Sequence, residues 1–141
     1  MKTVIYGQDE RVCDWVNSRL NENFVGAVGI GLEENGELIA GVVFDNYTKA
    51  GINMHVAAVP GRRWMTREYL FRCFAYPFIQ LNCLRITGLV REDNLDAQRF
   101  NEHLGFKREG LLREAYLDKQ NVIVYGMLQR ECRWLRGNKH E

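Results

Sequence analysis

The sequence predicts an α/β (α+β) chain with a mixed, mostly antiparallel central sheet of about seven strands and about three helices. Three observations predict it. Short apolar runs alternate with stretches whose apolar residues recur at helical spacing. An Asn-Gly turn, Asn35-Gly36, joins two of those runs as a hairpin. The apolar run at Ile52–Val59 is followed by a helical stretch and then by a buried-looking run at Leu84–Val90, which is the pattern of a parallel crossover.

Taken in order, Lys2–Tyr6 reads as a short strand, and Asp9–Leu20 as an amphipathic helix burying Val12, Trp15, Val16 and Leu20. Phe24–Leu32 and Leu38–Phe44 read as strands around Glu34-Asn35-Gly36-Glu37, where Asn and Gly tolerate positive φ. Ile52–Val59 is a third strand, ended by Pro60-Gly61. From Trp64 to Leu81 a helix face is marked by Leu70, Phe74, Phe78 and Leu81, and Pro77 must kink or end it because proline lacks an N–H. Leu84–Val90 is a strand. Asp93 or Asn94 then caps a helix burying Ala97, Phe100 and Leu104, closed by Gly105 in the left-handed conformation. Strands at Lys107–Tyr116 and Asn121–Leu128 follow, around a polar turn at Asp118–Gln120.

The bulk properties restrict function by exclusion. A chain of 141 residues without repeat, low-complexity run or linker reads as one domain over residues 1–141. A net charge of +1 gives no field that would draw the whole protein to nucleic acid or an anionic membrane. The basic tail, Arg130, Arg133, Arg136 and Lys139, reads as a solvated end. Cys13, Cys73, Cys83 and Cys132 lack zinc-ligand spacing and read as free thiols in a reducing cytoplasm. The N-terminus has no signal-peptide core and no window is long enough for a membrane span, so a cytoplasmic protein without a metal is expected.

The most informative stretch is Asn94 to Phe106. Asn94, Ala97 and Leu104-Gly105-Phe106, continued by Lys107, Arg108, Glu109 and Gly110, resemble the acetyl-CoA-binding helix of the GNAT acyltransferases, read roughly as N-x-x-[SA]-x6-L-G-F with E-G to follow. Leu84-Arg85-Ile86, the helix from Arg63 to Phe78, Arg113 and the closing hairpin at Val122–Leu128 are similar to the ribosomal-protein N-terminal acetyltransferase branch. The short length and the Trp64 variation are also similar to GNAT-like proteins of tailed bacteriophages. The resemblance spans about Ile52 to Leu128 and implies an acetyl-CoA-dependent N-acetyltransferase acting on a primary amine of a protein, peptide or small molecule.

The resemblance places Asn94, Ala97 and Asn101 along the cofactor's pantetheine arm, where an Asn side chain at a sheet edge can bond amide groups. It places the pyrophosphate at a loop the family writes [QR]-x-x-G-x-[GA], which here reads Gly61-Arg62-Arg63-Trp64-Met65-Thr66. Trp64 and Thr66 stand where glycine or alanine is usual, which removes the close backbone approach that glycine allows. Arg62 and Arg63 can supply charge-assisted bonds to phosphate instead. Ala57, Ala58 and Val59 complete the cofactor side, with strand amides polarising the thioester carbonyl.

On the Ile52–Val59 strand, alternation puts Asn53, His55 and Ala57 on one face, which in the family looks toward the acceptor. His55 is the candidate base, with Glu37 and Glu68 as alternatives. Many members carry a Tyr three residues before L-G-F as general acid, but this position is Asn101. Tyr116 and Tyr125 on the closing hairpin are the remaining candidates, beside protonation by water. Only one helix precedes the first hairpin, where relatives use two, so an open acceptor groove is expected, or one completed by a second copy in a homodimer. The substitutions at Trp64, Thr66 and Asn101 favour, as the alternative, a non-catalytic acyl-CoA-binding regulatory domain. A nucleic-acid module using the basic tail is disfavoured by the near-neutral charge.

Overall fold

The computed structural model describes residues 1–136; Lys139 of the basic tail lies outside the described residues. The elements are β1 (Lys2–Ile5), α1 (Asp9–Leu20), β2 (Val28–Glu34), β3 (Glu37–Asp45), β4 (Gly51–Ala58), α2 (Arg67–Ala75), β5 (Arg85–Arg91), α3 (Leu95–Leu104), β6 (Lys107–Leu112) and β7 (Val122–Leu128). Seven strands form one sheet in the order β1-β2-β3-β4-β5-β7-β6, antiparallel everywhere except at β4–β5. The element order matches the one read from the sequence, and the differences lie at boundaries.

Helix α1 packs on one face of the sheet, where Val12, Cys13 and Val16 meet Ala27, Val43 and Ala57. It lies close because β2 and β3 present glycines beneath it: a Cβ on Gly41 would stand 2.8 Å from Val16 Cγ2. Helices α2 and α3 cover the other face, sharing a core with Ile30, Phe44, Ile86 and Met127. The Tyr69 hydroxyl, fully buried, donates to Ile30 O at 2.7 Å and ties α2 to β2. No helix among the described residues is long and apolar enough to cross a membrane.

Four boundaries move, three of them for a reason visible in local contacts. The strand expected from Phe24 begins only at Val28, because Asn17 engages Phe24 through both its N–H (2.8 Å) and its C=O (3.0 Å) and holds it off the sheet. The helix expected from Trp64 starts at Arg67, where Thr66 caps it by accepting from Tyr69 N–H at 3.2 Å. Past Ala75 it widens into a π turn at Tyr76–Gln80 around Pro77, which has no N–H to give the ladder. The penultimate strand ends at Leu112 rather than running on to Tyr116, and Tyr116 lies in the connection to β7.

Candidate active site

The site is created where two halves of the sheet separate. Strand β4 stays paired with β3 through Ala58↔Ala40, and β5 with β7 through Arg91↔Val122. Between themselves, β4 and β5 pair only at Gly51↔Arg85, Ile52↔Ile86 and Asn53↔Thr87. Beyond Asn53 they diverge and leave a cavity of about 320 Å³, lined by Met54, His55 and Val56 on one side and Gly88–Arg91 on the other. Asn94, which precedes α3, and Ala97, Phe100 and Asn101 of α3 line it on the helix-covered face; Leu20, Glu22, Phe24 and Tyr116 line it on the α1 face. The cavity therefore passes through the sheet.

Backbone direction follows from the register. Val59 N–H donates to Ile39 O at 2.9 Å, so alternation along the antiparallel pair also turns the amides of Ala57 and His55 toward β3. The amides of Val56 and Ala58 then point to the side from which β5 has departed. Of the two alanines expected to supply a polarising amide, Ala58 has the suitable orientation and Ala57 faces β3.

Asn94 is the N-cap of α3, its Oδ1 accepting from Ala97 N–H at 3.1 Å, and it also faces the cavity. Asn101 is buried; its Nδ2 donates to Ala97 O at 2.8 Å. Its Oδ1 stands 3.2 Å from where a Cβ on Gly88 would lie, so the missing side chain at Gly88 keeps this wall open. Gly105 closes α3 at φ 111°, as expected from the sequence.

The loop expected to hold phosphate lies outside the cavity lining. Trp64 is buried, edge-on to Phe100 at 5.5 Å and to Tyr69 at 6.4 Å between ring centroids, and joins the core between α2 and α3. Its bulk therefore points away from the loop's outer face. Arg62 is paired with Glu34, whereas Arg63 is exposed and forms no ion pair among the described residues. Gly61, at φ 80°, makes the turn after Pro60; Thr66 caps α2, and Met65 lies half-buried between them.

His55 and Tyr116 line the cavity, and Tyr125 does not. His55 Nε2 lies 2.8 Å from Asp45 Oδ1, and its ring stacks on Phe24 with centroids 4.1 Å apart. Tyr116 donates its hydroxyl to Glu22 at 3.0 Å, joining the β6–β7 connection to the α1–β2 connection across the groove expected to be open. Arg91 sits over the Tyr116 ring at 4.6 Å and bridges Asp93 and Asp118. Burial and the Glu22 carboxylate push the Tyr116 hydroxyl up to about 12. Tyr125 is buried and donates to Glu102 of α3 at 2.9 Å; burial raises its pKa too. Glu37, in the β2–β3 hairpin, and Glu68, in the first turn of α2, are exposed and lie outside the cavity lining.

The sequence reading missed Asp45, Phe24, Glu22 and Gly88. Asp45 could have been found by counting the β3–β4 register, which puts it opposite Asn53, two residues from His55 on the same face. Glu22 and Phe24 carried no signal, because their role depends on where the α1–β2 connection folds.

The arrangement of strands and helices coincides with one known architecture. The chain superposes on spermidine N-acetyltransferase from Vibrio cholerae, solved with CoA and spermine, with a TM-score of 0.72 at 19% identity, covering 96% of this chain and 98% of that one. A chimera of the Vibrio cholerae enzyme SpeG and hSSAT gives 0.73 at 20% identity, covering 96% and 99%. Ard1 from Thermoplasma volcanium gives 0.68 at 15%, covering 90% and 97%. No protein-family model and no curated protein matches the chain. The fold is therefore the GNAT fold, and at these identities the likeness is one of fold.

Proposed function

We propose that the protein is an N-acetyltransferase that moves an acetyl group from acetyl-CoA to a primary amine by direct attack. The observation that carries this reading is the passage through the sheet between β4 and β5, with α3 and Gly88 on one side and His55 on the other. Two reactants entering from opposite faces meet there, and positioning is a large part of catalysis for such a transfer.

The residues fit an extended, amide-bearing arm. Gly88 leaves room, the Val56 and Ala58 amides turn to the gap as donors, and Asn94 lines it. At the far end, Arg63 and the unladdered start of α2 suit a pyrophosphate, because the first amides of a helix and its dipole favour anions. When bound, the cofactor supplies an activated acyl thioester. His55 takes the proton that the attacking amine loses. Both candidate hydroxyls donate to a carboxylate, Tyr116 to Glu22 and Tyr125 to Glu102. Tyr116 lines the cavity, keeps its proton across the working pH range and serves as the acid once it turns from Glu22 to the leaving thiolate, whereas Tyr125 lies outside the lining. Every cysteine is buried with its pKa raised by desolvation, so no thiolate competes as nucleophile and attack by the amine itself is favoured.

The acceptor class stays broad: a protein or peptide amine, as the resemblance to the ribosomal-protein N-terminal branch suggests, or a polyamine-like small molecule, as in the spermidine enzyme. The test begins with thermal shift against acetyl-CoA and CoA. Ligand that binds only the native state must raise the midpoint, so no rise at millimolar ligand refutes the reading. Release of free thiol with an acceptor panel of spermine and peptides bearing a free α-amine then separates an enzyme from a regulatory acyl-CoA-binding domain. Loss of turnover in His55→Ala, with acetyl-CoA stabilisation retained, is the expected outcome.

A further inference from the structure

We propose that Asp45 is the positioning residue of the His55 base, fixing the imidazole with its proton on Nε2 and its lone pair on Nδ1. The proposal rests on the reading of His55 as base.

Asp45 is the last residue of β3, opposite Asn53, while His55 is opposite Val43, so Asp45 and His55 are diagonal neighbours on one face of an antiparallel pair. Asn46, at φ 56°, turns the chain away immediately after Asp45, so β3 ends with that carboxylate at the rim. The Nε2 to Oδ1 distance is 2.8 Å. An ionised carboxylate only accepts hydrogen bonds, so Nε2 must carry the proton. In the neutral ring Nδ1 is then the basic atom.

A second contact removes the other freedom of the ring. Phe24 stacks on it with an interplanar angle of 26°, and Phe24 is itself held by the paired Asn17 hydrogen bonds, with Cys13 Sγ also donating to its carbonyl at 3.2 Å. The His55 side chain is only 9% exposed. Edge and face are thus both fixed, which is what a base held ready for one direction of proton transfer requires.

Asp45 from β3 bonds the ring; Glu22 from the α1–β2 connection, Arg91 from β5 and Tyr116 from the β6–β7 connection share the cavity lining with it, and Cys13 from α1 bonds the carbonyl of the stacked Phe24. Arg91 is occupied by Asp93 and Asp118, and Glu22 by Tyr116, which leaves Asp45 as the carboxylate bonded to the imidazole. In the step, the amine's proton moves to the Nδ1 lone pair. The Nε2 proton stays on Nε2, Asp45 stays ionised, and the imidazolium is balanced by that carboxylate. Nothing is oxidised or reduced.

The experiment uses the full chain labelled with ¹⁵N, and imidazole nitrogen shifts report the tautomer, with His55→Gln assigning the signals. Wild type is expected to show protonated Nε2 and unprotonated Nδ1, and Asp45→Ala to show mixed tautomers. With acetyl-CoA and the acceptor panel of spermine and free α-amine peptides, Asp45→Ala should lower kcat about ten- to a hundredfold and leave the KM for acetyl-CoA unchanged. Asp45→Asn, whose Oδ1 can still accept from Nε2–H, should recover part of the tautomer and part of kcat; equal melting curves establish that the variants fold. A wild-type ring protonated on Nδ1, or an Asp45→Ala protein with wild-type tautomer and kcat, overturns the proposal. Full turnover in His55→Gln overturns the base reading instead, and is told apart because it leaves the wild-type tautomer as expected.

Discussion

Trp64 occupies the slot where glycine is usual, and the structure turns that substitution into a quantitative prediction. Its ring is buried and meets Phe100 and Tyr69 edge-on. Trp64→Gly removes the whole side chain from a packed core, where truncation of a large aromatic costs about 3–5 kcal/mol. The two aromatic contacts make the upper end of that range the better expectation, since such pairs add about 0.5–1.5 kcal/mol beyond burial. Against a total stability of about 5–15 kcal/mol, that is a large share. For a chain of this size it lowers the melting midpoint by about 10–15 °C. Trp64→Phe keeps a ring against Phe100 and should cost about 1–2 kcal/mol. The assay is a thermal melt of the three proteins with and without acetyl-CoA. If the motif glycine were what the loop lacks, Trp64→Gly would gain acetyl-CoA affinity; if Trp64 is core, it loses stability and gains no affinity. A Trp64→Gly protein that melts with wild type and is stabilised more by acetyl-CoA refutes the reasoning.

Gly88→Val should raise the KM for acetyl-CoA about tenfold or more, because its Cβ would already stand 3.2 Å from Asn101 Oδ1 and the branches extend into the passage; unchanged KM by steady-state kinetics would move the cofactor arm elsewhere. The acid limb of stability follows from surface ion pairs. Arg91 holds Asp93 and Asp118 below the usual carboxylate range, and Tyr125 with Arg108 does the same for Glu102. A carboxyl whose folded pKa is depressed binds protons less readily than in the unfolded chain, so its stabilisation is present above about pH 4 and is lost as the pH falls through the folded value. Urea midpoints should fall between pH 5 and 3, and less steeply in Arg91→Gln; a fall of equal steepness in that variant counts against the role of the Arg91 cluster.

Much of the fold was legible because its cues are local. Asn35-Gly36 carries positive φ at both residues, as a tight hairpin requires, and Asn94 and Gly105 cap α3 through chemistry contained in the helix itself. The cavity lining was legible only where one element carries it: strand alternation sets the face of His55, and the cap sets Asn94 at the start of α3. Tyr125 illustrates the limit. Its position in the closing hairpin is clear from pattern, yet the α3 packing that takes its hydroxyl to Glu102 is not encoded nearby.

The sequence by itself determined the element order, the hairpin and the capped helix, because periodicity, turn chemistry and capping act over a few residues. The tertiary structure decided the parting of β4 and β5 beyond Asn53, since each strand's pairing partner lies far along the chain. It also decided that Trp64 turns into the core, that Tyr116 reaches Glu22 across 94 residues of sequence, and that Asp45 meets His55. Those contacts depend on distant segments sharing one space, and the passage through the sheet is their product.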